Sequence, residues 1–209
     1  IYVEQDMAYL ACGFGIMVVD LTKREIKDTY IIGKDAQKEP IYGVTANETH
    51  FYALSSSVIY KADRTQNLLD YAVWQKEPIA LPKGTACQNL YILNNQLFTI
   101  DSKQSVLQYK ENAWHTFFQG DENTVSWNQN SNGVFVTGGS KGIWHYSHQL
   151  DLIAHYNYYA LDACSDDSNQ LWFAAGGSGI ACHTANKPLE VLTPSSMPHA
   201  TIKELQVQN

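Results

Sequence analysis

Charge is scarce in this chain, and basic charge most of all. Of 209 residues only 17% are Asp, Glu, Lys or Arg, and 14 basic residues face 21 acidic ones, for a net charge of -7. Proteins that hold nucleic acid displace counterions with clustered Lys and Arg. Here the one basic knot, Lys23, Arg24 and Lys27, is interrupted by Glu25 and Asp28, so no nucleic-acid partner is expected. No apolar run approaches the roughly 20 residues that a membrane helix needs, so no membrane span is expected in this chain. No Cys-x-x-Cys pair occurs. Cys12, Cys87, Cys164 and Cys182 all lie in apolar runs and read as small buried hydrophobes, while their spacing leaves open whether any of them pair. There is no His-Glu-x-x-His. No nucleophile elbow of the Gly-x-Ser-x-Gly type is expected either. These absences favour a protein that is not an enzyme and needs no cofactor.

What the chain does have is repetition. A bulky run, then small residues, then an aliphatic anchor occurs five times: AYLACGFGI (8–16), FYALSSSVI (51–59), LFTIDSKQSV (97–106), VFVTGGSKGI (134–143) and LWFAAGGSGI (171–180). The anchors Ile16, Ile59, Val106, Ile143 and Ile180 are separated by 43, 47, 37 and 37 residues. A period near forty built from strand-like units marks a β-propeller. The composition agrees: 44% hydrophobic, with 13 Tyr among the aromatics, residue types that suit half-buried pleated surfaces.

Each unit reads as four strands. A first strand precedes the repeated phrase at 1–5, 41–46, 87–93, 124–129, 160–165 and 201–207, and polar turns such as Asn94-Asn95 and Asp166 to Asn169 follow it. A third strand follows each anchor at 17–21, 60–64, 107–110, 144–147 and 181–184. An aromatic-rich fourth is expected at 27–33, 69–74 (LDYAVW), 114–120, 152–158 and 189–193. The fold expected is therefore all-β, a single β-propeller domain over 1–209 or a fragment of one. Its blade phrases lie near 7–46, 50–93, 96–129, 133–165 and 170–207. Strand one occurs six times and the other strands five times, which reads as part of a larger propeller rather than five blades with a spare strand.

Candidate functional residues are few. Seven His include His145, His148 and His155, but residues three apart on a strand face opposite ways, so they read as rim or turn residues and no metal site is expected. Asp162, Asp166 and Asp167 form one acidic cluster, and Asp121 and Glu122 another; the run Asp166 to Asn169 fits a hairpin turn better than a calcium loop. GGSGI (176–180) lacks the helix and the Lys of a phosphate-cradling loop. Tyr42, Trp127 and Tyr159 lie on or beside first strands and are the candidate contacts to a glycan or a protein partner, against a plainer reading as packing between blades.

The run GFGI-x-V-x-DL-x-x-x-EI-x-DTY within residues 8–33, with 41–62 and 67–74, resembles the N-terminal propeller of PorZ-type proteins of Bacteroidetes. The whole chain is similar, more loosely, to the two-component-regulator propeller repeats of periplasmic sensor halves of hybrid kinases. The first resemblance implies about two further blades, completing a seven-bladed ring. It also implies export to the periplasm or cell surface and a part in type IX secretion, where such proteins help deliver anionic lipopolysaccharide to a sortase-like partner. The family's carbohydrate-recognising C-terminal module is not in this chain, so no binding residue is carried over. The function expected is a non-enzymatic envelope scaffold with protein partners. The alternatives are a glycan-binding sensor propeller and, more remotely, a glycan-active propeller enzyme.

Overall fold

A computed structural model describes residues 1–121 and 125–192. Among them there is no α-helix, and twenty strands form five antiparallel four-stranded sheets, each with its strands in chain order. The first sheet is β1 (Tyr2–Glu4), β2 (Met7–Cys12), β3 (Gly15–Asp20) and β4 (Glu25–Tyr30). The second is β5 (Ile41–Ala46), β6 (His50–Ser55), β7 (Ile59–Asp63) and β8 (Gln75–Lys76). The third is β9 (Cys87–Leu93), β10 (Gln96–Asp101), β11 (Ser105–Lys110) and β12 (Ala113–Gln119). The fourth is β13 (Val125–Asn130), β14 (Gly133–Gly138), β15 (Ile143–Tyr146) and β16 (Leu152–Tyr156). The fifth is β17 (Asp162–Ser165), β18 (Leu171–Ala174), β19 (Ile180–His183) and β20 (Glu190–Leu192). These are propeller blades. The sixth first strand expected at 201–207 lies outside the described residues.

Turn chemistry explains the meander. Asn94 and Asn95, both at positive φ (49° and 59°), make the two-residue turn between β9 and β10, and Glu111 and Asn112 (52° and 61°) repeat it between β11 and β12. Two successive left-handed residues match the right-handed twist of the flanking strands. Glycine is required where strands crowd. A Cβ on Gly15 or Gly142 would lie 2.1 Å from Tyr30 O or 2.4 Å from Tyr156 O, and both residues have positive φ. Each immediately precedes an anchor, which is why Gly-Ile recurs in the repeat.

The described residues divide into two compact units, Ile1–Ser102 with Val106–Phe117, and Lys103–Ser105 with those that follow from Phe118. In the first unit, Ile16 and Val18 of β3 pack with Ile41, Val44 and Ala46 of β5, and Tyr60 and Trp74 join the same cluster. Leu54 and Ile59 pack in turn with Cys87, Leu90 and Leu97 of the next blade. In the second unit, Ile143 and Phe135 pack with Ala163, Leu171 and Phe173. Each fully buried aliphatic or aromatic side chain removes enough apolar surface to contribute about 1.5–3 kcal/mol. Ile16, Ile59, Val106 and Ile143 are all at 0% exposure. Ile180 is only partly buried, and the first strand that the repeat would set beside it falls outside the described residues.

Polar side chains latch successive blades. Arg64 donates to both carboxylate oxygens of Glu4 at 2.8 and 3.1 Å and lies 4.7 Å from the ring centre of Phe51, a bidentate geometry stronger than a single neutral bond. Asn47 Nδ2 donates to Asn95 Oδ1 at 2.9 Å. In the second unit, Asn128 donates to Asp162 at 2.7 Å, and Asn130 and Asn132 donate to Ser165.

Candidate functional site

The repeat fails at one place among the described blades, and a cleft opens there. LDYAVW (69–74), expected as the fourth strand of the second blade, is not a strand. Tyr71–Val73 form a 3-10 turn, and only Gln75 and Lys76 pair with β7. Side-chain competition with the backbone accounts for the difference. Asn67 Oδ1 accepts from Leu69 N at 3.2 Å and Asp70 Oδ1 from Ala72 N at 2.9 Å, curling the segment. Trp74 is 5% exposed, packs near Tyr30 and donates its indole N–H to Leu68 O at 3.0 Å. Burying that ring holds the segment inward, so it cannot run along β7.

The gap is a cleft of about 360 Å3 lined by His50, Lys61, Asp63, Gln66, Gln75 and Glu77, with Lys76, Val73 and Pro78 completing its walls. Lys61 Nζ lies 2.9 Å from Glu77 Oε1 and 5.7 Å from the Tyr52 ring centre. The hydrogen bond to Glu77 outweighs desolvation and holds the Lys61 ammonium above its ordinary range. Asp63 Oδ1 accepts from Thr65 N at 2.8 Å and Thr65 Oγ1 at 2.7 Å, and these bonds keep its carboxyl below the usual value. His50 Nδ1 sits 2.7 Å from Thr49 Oγ1. Sequence reasoning missed this site. Its only signal was the longest spacing between anchors, 47 residues from Ile59 to Val106.

The three aromatics singled out from sequence differ in environment. Tyr42 is 49% exposed, at the bulge where β5 changes register between Ile41 and Gly43. The bulge brings Gly43 so near β9 that a Cβ there would lie 2.5 Å from Leu90 N. Tyr159 is 51% exposed and lies over Gly176, whose Cβ would meet its ring at 3.1 Å. Trp127 is 5% exposed and is not available to a ligand. An inward position on a first strand is enough to bury a ring of that size.

The histidines serve hairpins. His145 Nε2, His148 Nε2 and His155 Nε2 lie 2.9 Å from the carbonyl oxygens of Asn132, Asn130 and Lys141. The rings of His145 and His155 stack on Phe135 at 4.2 Å and Trp144 at 4.1 Å. Among the described residues no three His, Cys, Asp or Glu side chains converge as metal ligands. Asp166 is occupied by its own turn, accepting from Ser168 N, Gln170 N and Trp172 Nε1, each at 2.9 Å. Burial raises its carboxyl, but these bonds prevail and hold it below its ordinary value. Contrary to the expectation that no Gly-x-Ser-x-Gly occurs, residues Gly138 to Gly142 spell that pattern. They form the β14–β15 hairpin turn rather than a strand-to-helix elbow, and Ser140 Oγ donates directly to Asp121 Oδ2 with no imidazole between them. Glu122, paired with Asp121 in the sequence reading, lies outside the described residues.

Cys87, Cys164 and Cys182 are buried, Cys12 is partly buried, and all four are free thiols. Desolvation, helped by Asp162 and Asp166, pushes the Cys164 thiol up to about 11. Among the described residues no helix is long and apolar enough to cross a membrane.

Comparison with known proteins gives the same architecture. Over 93% of its length the chain superposes on PorZ of Porphyromonas gingivalis, described as an essential bacterial surface component of the type IX secretion system, with a TM-score of 0.71 and 19% identity. It superposes over 96% of its length on the extracellular domain assigned to a hybrid two-component system of B. thetaiotaomicron, with a TM-score of 0.61 and 12% identity. YCF48 bound to D1 peptide matches over 92% of this chain and 65% of its own, with a TM-score of 0.56 and 13% identity. At these identities the likeness is one of fold. The chain spans 26% of the PorZ chain and 29% of the two-component chain. No curated protein gives a significant match. One family is recognised from sequence, and it is the one the GFGI run resembles: residues 1–75 match the model described as TSS9, PorZ, N-terminal beta-propeller domain.

Proposed function

We propose that this chain is a propeller scaffold of the cell envelope that works by binding protein partners and catalyses no reaction. The observation that carries the reading is the match of residues 1–75 to the PorZ N-terminal propeller, supported by a superposition on PorZ over 93% of the chain. PorZ is a surface component of type IX secretion, so the same setting, exported to the periplasm or cell surface, is the one proposed here. Within the first unit, the Arg64–Glu4 and Asn47–Asn95 bonds latch successive blades into a firm frame. Rigid frames present loops to partners with little ordering cost. Tyr42 and Tyr159, about half exposed, are the proposed contact residues, because half-exposed Tyr supplies area at low entropic cost.

The test is affinity capture from a Bacteroidetes envelope extract after cross-linking, comparing the chain with its Tyr42→Ala/Tyr159→Ala variant. The expected result is enrichment of an outer-membrane or surface protein by the chain and a marked loss with the variant. Equal recovery by both, or recovery of no envelope protein, would overturn the reading.

A further inference from the structure

We infer that the cleft in the second blade is a binding site for a neutral saccharide. The inference is independent of the scaffold reading, because it rests on the chemistry of the lining and on where the cleft occurs.

The lining carries two cations, Lys61 and Lys76, and two carboxylates, Asp63 and Glu77, beside the amides of Gln66 and Gln75. The opposed charges cancel, so the cleft offers no net field to concentrate an anion such as phosphate. A divalent cation needs several converging oxygen ligands, and no such group occurs among the described residues. Only Val73 and Pro78 are apolar in the lining, too little for a lipid or an aromatic ligand. Sugar hydroxyls both donate and accept, and ammonium, carboxylate and amide groups held side by side satisfy both roles. A volume of about 360 Å3 falls in the range of small-ligand sites, about 300–1,000 Å3.

The groups are also pre-positioned. The Lys61–Glu77 pair at 2.9 Å fixes one donor and one acceptor. The Thr65 bonds to Asp63 Oδ1 hold that carboxylate in place in the lining. The wall opposite β7 is braced by the Asp70 cap and the Trp74–Leu68 bond. The cleft thus lies where one blade departs from the repeat and where local side-chain bonds hold the departure in shape. In repeat folds, insertions within one repeat map to loops on one face, often the binding face, and this blade carries the longest anchor spacing, 47 residues.

The experiment is a heteronuclear NMR titration of the isotope-labelled 209-residue chain with maltotriose, mannotriose and β-1,4-galactotriose, and with inorganic phosphate as the charged control. Saturable shifts at the amides of Lys61, Asp63, Gln66 and Gln75 with at least one sugar, and none there with phosphate, are expected. Gln66→Ala should weaken that binding about fivefold, the effect of one lost hydrogen bond, with no change in melting temperature because Gln66 is exposed. Asp63→Asn keeps an acceptor for Thr65 and should weaken binding by a similar factor. Absence of saturable shifts with all three sugars, phosphate shifts equal to those of the sugars, or unchanged binding in both variants would each overturn the inference.

Discussion

Replacing an anchor isoleucine by alanine should cost very different amounts in the fourth and fifth blades, although the repeat makes the two positions equivalent. Ile143 has no exposed surface and packs with Phe135, Ala160, Ala163 and Phe173. Ile143→Ala deletes three carbons. At about 0.8 kcal/mol for each buried methylene the transfer loss is about 2.4 kcal/mol. The cavity left in this cluster adds up to about 2 kcal/mol if its walls do not collapse, for a total of about 2–5 kcal/mol. Ile180 is only partly buried, so Ile180→Ala loses part of the transfer term and leaves an opening rather than a closed cavity. Its cost should be smaller by at least about 1 kcal/mol. Urea denaturation followed by tryptophan fluorescence measures both, and Trp144 beside Ile143 reports on that blade. An Ile143→Ala cost under about 0.5 kcal/mol, or equal costs for the two variants, would refute the packing argument.

Three further outcomes are expected. Gly43→Ala forces a methyl to within 2.5 Å of Leu90 N; backbone cannot yield as a side chain does, so a loss of about 1–3 kcal/mol should appear as a lowered thermal midpoint, and an unchanged midpoint would contradict the close approach of β5 and β9. In native protein a thiol reagent such as DTNB should modify Cys12 alone, because Cys87, Cys164 and Cys182 are buried, and all four should react once the chain is unfolded. The raised Cys164 thiol has a folded value of about 11 above its unfolded value, so its contribution is complete below about pH 8.5 and is lost as pH rises toward 11. Chemical denaturation should therefore show stability falling across that alkaline window, more steeply in the parent than in Cys164→Ala, and parallel curves would count against the desolvated site.

The blade pattern was legible because it rests on short-range chemistry. Paired residues such as Asn94-Asn95 and Glu111-Asn112 set turns whose twist admits only adjacent antiparallel strands. The bulky-small-aliphatic phrase recurs with a period near forty in strand-like units, as propeller blades do, and Gly15 and Gly142 are needed because a facing carbonyl leaves no room for a side chain. Tertiary contacts decided the rest. LDYAVW has the composition of a strand, yet the burial of Trp74 against the first blade and the Asp70 cap turned it into a 3-10 turn. Trp127 and Tyr42 both stand on first strands; packing covers one, and a bulge releases the other. The cleft lies between β7 and a strand cut to two residues, and its polar groups, from His50 to Glu77, meet only after the sheet has formed. Periodicity is local and survives in the sequence. Which repeat departs from it, and what the departure exposes, depends on how large side chains share space between elements, and only the folded chain fixes that.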